Sequence, residues 1–323
     1  MKQILVTGAT GFIGSHLIEG LLQKGHEVYC LARNKKKLRW LQNLPVNLVV
    51  GDCQNLASLN LPSVSVVYHL AGLVKAKSPV HLYQANYLGT LNLIRAILRQ
   101  RLPLEKFVFV STLAVHGNPQ GEIITSQAPP CPLTHYAKSK WMAEQALLSL
   151  KELLPVIIFR PTAIYGPRDK EFLEYMRLVK HGFAPILNPK GTLSLCYVAD
   201  LIEALMAVLD RNVPSGKVFL LSDGKVYSWQ TVITTMANML GKQPLLIKVP
   251  KPLTLSLALA AEFYNHFAKE PLMFSRDKLK EVFQKTWFCD ISDAQTFLDF
   301  QPKYSLKKGM EITIRWYQQH NWL

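Results

Sequence analysis

Carboxylates are scarce in this chain. Its 323 residues hold 22 Asp and Glu against 37 Lys and Arg, a formal net charge of +15 at pH 7. Such a surplus suits an anionic small ligand, an anionic membrane surface or nucleic acid. Nucleic acid is not expected as a partner. Zinc-finger spacing, an RNA-binding signature and aromatic–basic interleaving are all missing, and the densest basic run, Arg33 to Arg39, is short. Cysteines number five, at 30, 53, 131, 196 and 289, without a C-x-x-C pair, so no metal is expected. An odd, scattered set fits a reducing compartment, where thiols pack as small hydrophobes. A signal-peptide plan is lacking, and the most apolar later segment, 252–263, is shorter than the roughly 20 residues of a bilayer crossing. A cytoplasmic protein is the expectation. Repeats and low-complexity tracts are also missing. What remains is 49% hydrophobic and 18% charged, the balance of a folded chain with one large α/β domain or two smaller units.

The first half alternates apolar runs with amphipathic stretches. The runs 3–7, 27–31, 47–51, 64–70, 106–111 and 155–160 are apolar almost throughout, as parallel strands covered on both faces should be. Between the first two, Phe12, Ile13, Leu17, Ile18, Leu21 and Leu22 share one helical face that Gly25 closes. Further helices are predicted over about 80–100 and 134–151. This alternation predicts a doubly wound parallel sheet of the α/β class with right-handed crossovers. After Arg160 the rhythm decays, although Ser228 reads as the N-cap of a helix ended by Gly241. The expected division is a dinucleotide-binding body over 1–160 and a mainly substrate-binding portion over 161–323, with some elements returning to the body.

Glycine occupies positions 8, 11 and 14 in "VTGATGFIG", between the first strand and the first helix. There a pyrophosphate can rest on the amides of the helix start, provided no side chain blocks the approach. The residues assigned to a dinucleotide in this turn are Gly8, Thr10, Gly11, Phe12, Ile13 and Gly14. At the end of the second strand an acid would hold the ribose of NAD. The chain instead reads "CLARNKKKLR", with Arg33 in that place and Lys35, Lys36 and Lys37 beyond it. A guanidinium there suits the 2′-phosphate of NADP, making NADP the expected cofactor and NAD the alternative. Asp52, with Cys53 beside it, is a candidate for the adenine edge or a turn residue.

"THYAKSKWMAEQ" sets Tyr136 and Lys140 four residues apart, on one face of a helix. A neighbouring ammonium favours the phenolate and brings a phenol towards acid–base work at neutral pH. Ser111 and Thr112 end the preceding strand, where ligands of open α/β sheets bind.

The motifs "VTGATGFIG", "YHLAG", "NYLGTLN", "FVSTLAVHG", "YAKSK", "RPTAIYGPR" and "YVADLIEAL" occur in this order along the chain. Together they resemble the extended short-chain dehydrogenase/reductase family, also called the NAD-dependent epimerase/dehydratase family, over essentially the whole length. The resemblance implies a Rossmann fold and an NAD(P)-dependent oxidoreductase. Tyr136 would be the acid/base, Lys140 would hold the nicotinamide ribose and lower the phenol pKa, and Thr112 would bond the substrate oxygen. Asn86 would support the backbone after the fourth strand or relay a proton. Leu70, Ala71 and Gly72 would lie beside the cofactor, with Ser111 near them and Pro161 by the nicotinamide.

Departures from the family pattern narrow the substrate. The acidic pair of 4,6-dehydratases is replaced by Leu113 and Ala114, the diphosphate-gripping asparagine of epimerases by Ala163, and their arginine by the stretch 193–196, "LSLC". Phosphates without such partners are costly to bury. The chain is therefore closest in character to the dihydroflavonol reductase-like and 3β-hydroxysteroid dehydrogenase-like branch. The expectation is reversible carbonyl–alcohol conversion on a largely apolar small molecule by hydride transfer. An NAD-dependent epimerase of a sugar derivative and a non-catalytic NADP sensor are the alternatives. The segment from Leu253 to Phe267 is expected to be a packing helix, a lid or a lipid contact being the other readings. The resemblance allows a homodimer through the helices near 80–100 and 134–151.

Overall fold

The computed structural model describes residues 1–323 except 36, 37, 119, 120, 269, 270 and 273, with residue 266 described for its backbone only. Strands β1 (Gln3–Thr7), β2 (Glu27–Ala32), β3 (Asn47–Val50), β4 (Val66–His69), β5 (Lys106–Val110) and β6 (Val156–Pro161) lie where the apolar runs put them, with small differences at their ends. They pair in parallel in the order β3-β2-β1-β4-β5-β6, and the strand Lys217–Leu221 adds beside β6. This is the doubly wound Rossmann arrangement. The order reverses between β1 and β4, opening a crevice at the carboxyl ends of those strands.

Helices α1 (Phe12–Gln23), α2 (Pro79–Tyr83), α3 (Gly89–Arg99) and α4 (His135–Leu148) cover the sheet, and a π turn over Gln84–Leu88 runs α2 into α3. The two-residue period of each strand divides its side chains between two layers. Ile4 and Val6 join Leu17, Ile18 and Leu21 of α1 in one core. Leu5 joins Leu93 and Ile97 of α3 and Ala143 and Leu147 of α4 in the other. Each such fully buried aliphatic side chain contributes roughly 1.5–3 kcal/mol. Burial on both faces explains why β1, β4, β5 and β6 read as unbroken apolar runs, whereas β3, at the edge of the sheet, has no buried residue.

The second half is not a separate body. Its strand Lys217–Leu221 completes the sheet, with Leu221 opposite Pro161. Its helix Val198–Ala207 packs against α1, and Tyr68 Oη of β4 donates to the Leu205 carbonyl at 2.8 Å. The absence of a βαβ rhythm after residue 160 reflects short paired strands, Ala163–Tyr165 with Leu195–Tyr197 and Phe183–Ile186 with Leu245–Lys248. The helix Trp229–Leu240 has the expected ends: the Ser228 hydroxyl accepts from the Thr231 amide, and Gly241 is left-handed at φ +62°.

The segment expected to be a packing helix is helical over Lys251–Phe267, but packs through few residues. Thr254, Ala258, Ala261 and Asn265 are buried, whereas Leu253, Leu255, Leu257, Leu259, Phe263, Tyr264 and Phe267 are exposed. Among the described residues no helix is long and apolar enough to cross a membrane, and no cluster of three or more His, Cys, Asp or Glu could hold a metal.

Candidate active site

The glycines between β1 and α1 are there for want of room. Gly8 stands at φ +70°, and a Cβ on it would lie 2.7 Å from the Ala71 amide nitrogen. A Cβ on Gly14 would lie 2.3 Å from the Gly8 carbonyl oxygen, which also accepts from the Gly11 amide at 3.0 Å. Helix α1 starts at Gly11 with neither a side-chain cap nor an acid in its first turn. Its first amides and its dipole are thus directed at the crevice. Thr10, Phe12 and Ile13 flank this turn half-buried. At the end of β5, Ser111 Oγ is buried without a partner. A side-chain-free turn, uncapped amides and an orphaned hydroxyl fit a dinucleotide.

A chain of hydrogen bonds joins this turn to the loop after β4. The Ala71 amide donates to Thr7 Oγ1 at 3.1 Å, Thr7 Oγ1 meets His69 Nδ1 at 2.7 Å, and His69 Nε2 meets Thr90 Oγ1 at 2.9 Å. Thr90 gives its own proton to the Asn86 carbonyl at 2.6 Å, so His69 must donate from Nε2 and accept at Nδ1. Burial, aided by the Lys140 charge, pushes the His69 pKa down to about 3 and keeps the ring neutral. Asn86 lies in the π turn, fully buried. Its Oδ1 accepts from the Leu73 amide at 2.7 Å, and its Nδ2 donates to the Leu73 carbonyl and to Ser139 Oγ, both at 2.9 Å. It ties the loop of Leu70, Ala71 and Gly72 to α4, the backbone-supporting role of the two expected, and leaves Gly72 no space for a Cβ, which would sit 2.8 Å from Asn86 Oδ1.

Helix α4 begins where Thr134 accepts from the Ala137 amide at 3.1 Å and donates to Glu281 Oε1 at 2.5 Å. In the same first turn, Tyr136 lies beside Thr112, whose hydroxyl acts to lower the phenol pKa, and Thr112 caps the short 3-10 turn Leu113–His116. Lys140 is buried one turn further along, its Nζ donating to the Val110 carbonyl at 2.6 Å and lying 4.0 Å over the Phe109 ring. Thr112, Tyr136 and Lys140 thus meet at the carboxyl end of β5, and Pro161 closes β6 next to it.

The acidities differ from expectation. Burial pushes the Tyr136 phenol above its ordinary value; the Thr112 hydroxyl pulls it down and the Glu281 carboxylate pushes it up again. Lys140 is itself desolvated, with its pKa brought down to about 7, partly offset by Glu144. The ammonium is directed at a carbonyl and a ring face, and desolvation of the phenol outweighs the effect of Thr112, so the tyrosine pKa is raised where a drop was expected.

At the carboxyl ends of β2 and β3, Arg33 is exposed and its charge is felt at Cys53. Arg33, Asp52 and Cys53 therefore gather at neighbouring strand ends. Asp52 Oδ1 accepts from the Gln54 amide at 2.9 Å, which is a turn residue's bond. Cys53 is buried, its thiol pushed up to about 12. Lys35 is exposed, while Lys36 and Lys37 lie outside the described residues.

Sequence reasoning missed a buried ionic group behind the site. Arg160 of β6 binds Glu144 of α4 through Nε (3.1 and 3.2 Å) and Nη2 (2.5 Å), and its Nη1 meets His116 Nε2 at 2.8 Å. Burial and the Arg160 charge push the His116 pKa down to about 3, so this ring accepts. A lone arginine inside the apolar run "PVIIFRP" was the available signal.

The sequence profile of the NAD dependent epimerase/dehydratase family matches residues 4–222. The chain belongs to this family. Its members named here differ in reaction. A ceramide reductase from Caulobacter vibrioides is 28% identical over 99% of this chain and 96% of its own length. A UDP-glucose 4-epimerase from Vibrio cholerae is 29% identical over 99% and 97%. The crystal structure of UDP-glucuronic acid 4-epimerase from Bacillus cereus with UDP-glucuronic acid and NAD superposes with a TM-score of 0.80 at 25% identity, covering 98% of this chain and 99% of that one. The protein is an NAD(P)-dependent enzyme of the extended short-chain dehydrogenase/reductase family.

Proposed function

We propose that the protein is an NADP(H)-dependent oxidoreductase that interconverts a carbonyl and an alcohol on a largely apolar small molecule. The observation that carries this reading is the meeting of Thr112, Tyr136 and Lys140 at the end of β5, which pairs with β4 next to the reversal of order in the sheet. Gly8, Gly11 and Gly14 would admit the pyrophosphate, and Ser111, Ala71, Gly72 and Pro161 would border the nicotinamide. When bound, the nicotinamide supplies or accepts the hydride. Tyr136 Oη gives its proton to the carbonyl oxygen in reduction and recovers it in oxidation, while Thr112 Oγ1 donates to the same oxygen. A phenol held above its usual pKa stays protonated at neutral pH, the form needed for reduction. Lys140 Nζ keeps donors for ribose hydroxyls besides the one given to Val110.

The apolar substrate is supported by the second half of the chain. Ala163 pairs with Leu195 of the stretch 193–196, so the regions where the family's epimerases place their diphosphate handles are adjacent, and neither carries a charged side chain. The similarity to a ceramide reductase from Caulobacter vibrioides supports a reductase acting on an apolar molecule. For the dinucleotide, an exposed Arg33 where a carboxylate would select NAD supports NADP. A functional division near residue 160, and a homodimer using the exposed Leu98 of α3 and Met142 of α4, are part of the same reading.

The test is NADPH oxidation, followed at 340 nm, with long-chain and polycyclic ketones, alongside equilibrium titration of both dinucleotides. Turnover with such ketones and an Arg33→Ala variant that loses its preference for the phosphorylated dinucleotide are expected. Retention of tightly bound NAD, with isomerisation of UDP-glucose and no net absorbance change, overturns the reading in favour of an epimerase.

A further inference from the structure

The helix Lys251–Phe267 is built inside out. It seats on the protein through Thr254, Ala258, Ala261 and Asn265, a stripe of short side chains recurring every three or four residues. The long ones point away: Leu253 is 52% exposed, Phe263 69% and Phe267 75%, with Leu255, Leu257, Leu259 and Tyr264 beside them. The strand that precedes the helix in the chain also exposes Leu245, Leu246 and Ile247, and Leu245 pairs with the exposed Phe183. Monomeric soluble proteins rarely leave so large a contiguous apolar face to water.

The charge around this face selects its occupant. From Gly224 to Ala261 the chain carries four lysines and no carboxylate, and Lys242, Lys248 and Lys251 are exposed at the edge of the leucine-rich surface. The single acid on the helix, Glu262, is engaged by Arg276, whose Nε lies 2.8 Å from Oε2. A second copy of a chain with net charge +15 would bring like charge to this face, whereas an anionic bilayer brings the opposite. The helix, 17 residues long and flanked by lysines on its amino-terminal side, has the form of an element that lies in the interface rather than across it.

We infer that residues 245–267 dock the protein peripherally on an anionic lipid bilayer, the exposed leucines and phenylalanines entering the acyl boundary and Lys242, Lys248 and Lys251 meeting the headgroups. Docking requires nothing of the substrate, and a binding assay with vesicles reads no turnover, so its result and the result of the ketone screen are independent.

The experiment is flotation of the full chain with vesicles of phosphatidylcholine alone and of phosphatidylcholine mixed with phosphatidylglycerol, with sedimentation velocity on the lipid-free protein. The expected result is binding to the mixed vesicles that weakens with added salt. It should fall at least tenfold in a Leu255→Ser/Leu259→Ser/Phe263→Ser variant and by a smaller factor in Lys248→Gln/Lys251→Gln, both variants keeping their circular dichroism and melting temperature. A variant that fails to keep its fold is replaced by the single change Phe263→Ser. No binding to the mixed vesicles, or binding unaltered in the apolar variants, overturns the inference. So does a dimer that the triple variant abolishes, which would assign the face to a second copy.

Discussion

Helix α4 and the helix Lys251–Phe267 break the ordinary amphipathic rule in opposite senses. The first buries polarity: Ser139, Lys140 and Glu144 all point into the protein. The second exposes hydrophobicity, keeping Thr254, Ala258, Ala261 and Asn265 inside and its leucines outside. A buried ammonium is tolerated in α4 because Val110 and Phe109 receive it and Glu144 is neutralised by Arg160. Exposed leucines in the other helix have no such partner within the chain. In both places the local violation coincides with the side on which a binding partner is proposed.

The comparison can be broken at several points. The largest effect belongs to Tyr136→Phe, which should lower turnover by roughly 10³-fold while leaving dinucleotide affinity and melting temperature near those of the parent; steady-state kinetics and calorimetry decide it, and undiminished turnover removes Tyr136 from the chemistry. Next is Arg160→Met. It strands the Glu144 carboxylate in the core and should cost about 3–5 kcal/mol in urea unfolding, much of it recovered in Arg160→Met/Glu144→Leu, because the penalty lies in the unpaired charge.

In the exposed helix the same logic runs on volume. Ala258→Leu forces bulk against the stripe that seats the helix and should cost about 1–3 kcal/mol. Leu259→Ser on the outer face should change stability by no more than about 0.5 kcal/mol. Equal losses at the two positions would mean that the outer face is packed.

Lys140 supplies the finest test. Its folded pKa of about 7 lies below the ordinary lysine value of about 10.4, so between these limits the unfolded chain holds more protons than the folded one. The stability tied to this group is therefore present above the unfolded value and is lost as pH falls through about 7. Across that window the parent should gain stability relative to Lys140→Met with rising pH, by at most about 1.4 kcal/mol per pH unit. Parallel curves for the two proteins in chemical denaturation would show that the ammonium is not desolvated.

Most of the sheet was legible because strands buried on both faces leave unbroken apolar runs, and the glycine turn because steric exclusion at Gly8 and Gly14 admits no other residue. The helix ends at Ser228 and Gly241 were legible from capping chemistry alone. The seventh strand was not, since nothing near Lys217–Leu221 in the chain says that it pairs with β6. Nor was the ionic group, whose members Arg160, Glu144 and His116 are separated by 16 and 44 residues. The acidity of Tyr136 was misjudged because spacing reports that an amine lies one turn away, but not where the amine points or how dry the phenol is.

Sequence alone determined the alternation of strands and helices, the place of the glycine turn and the spacing of Tyr136 and Lys140. These depend on side-chain periodicity and backbone sterics, which act over a few residues. Tertiary structure decided which partner holds Lys140, that Thr112 reaches Tyr136, that His69 stays neutral, and which side of Lys251–Phe267 faces water. Those outcomes depend on desolvation and on contacts between distant segments, and neither is written into any short stretch of the chain.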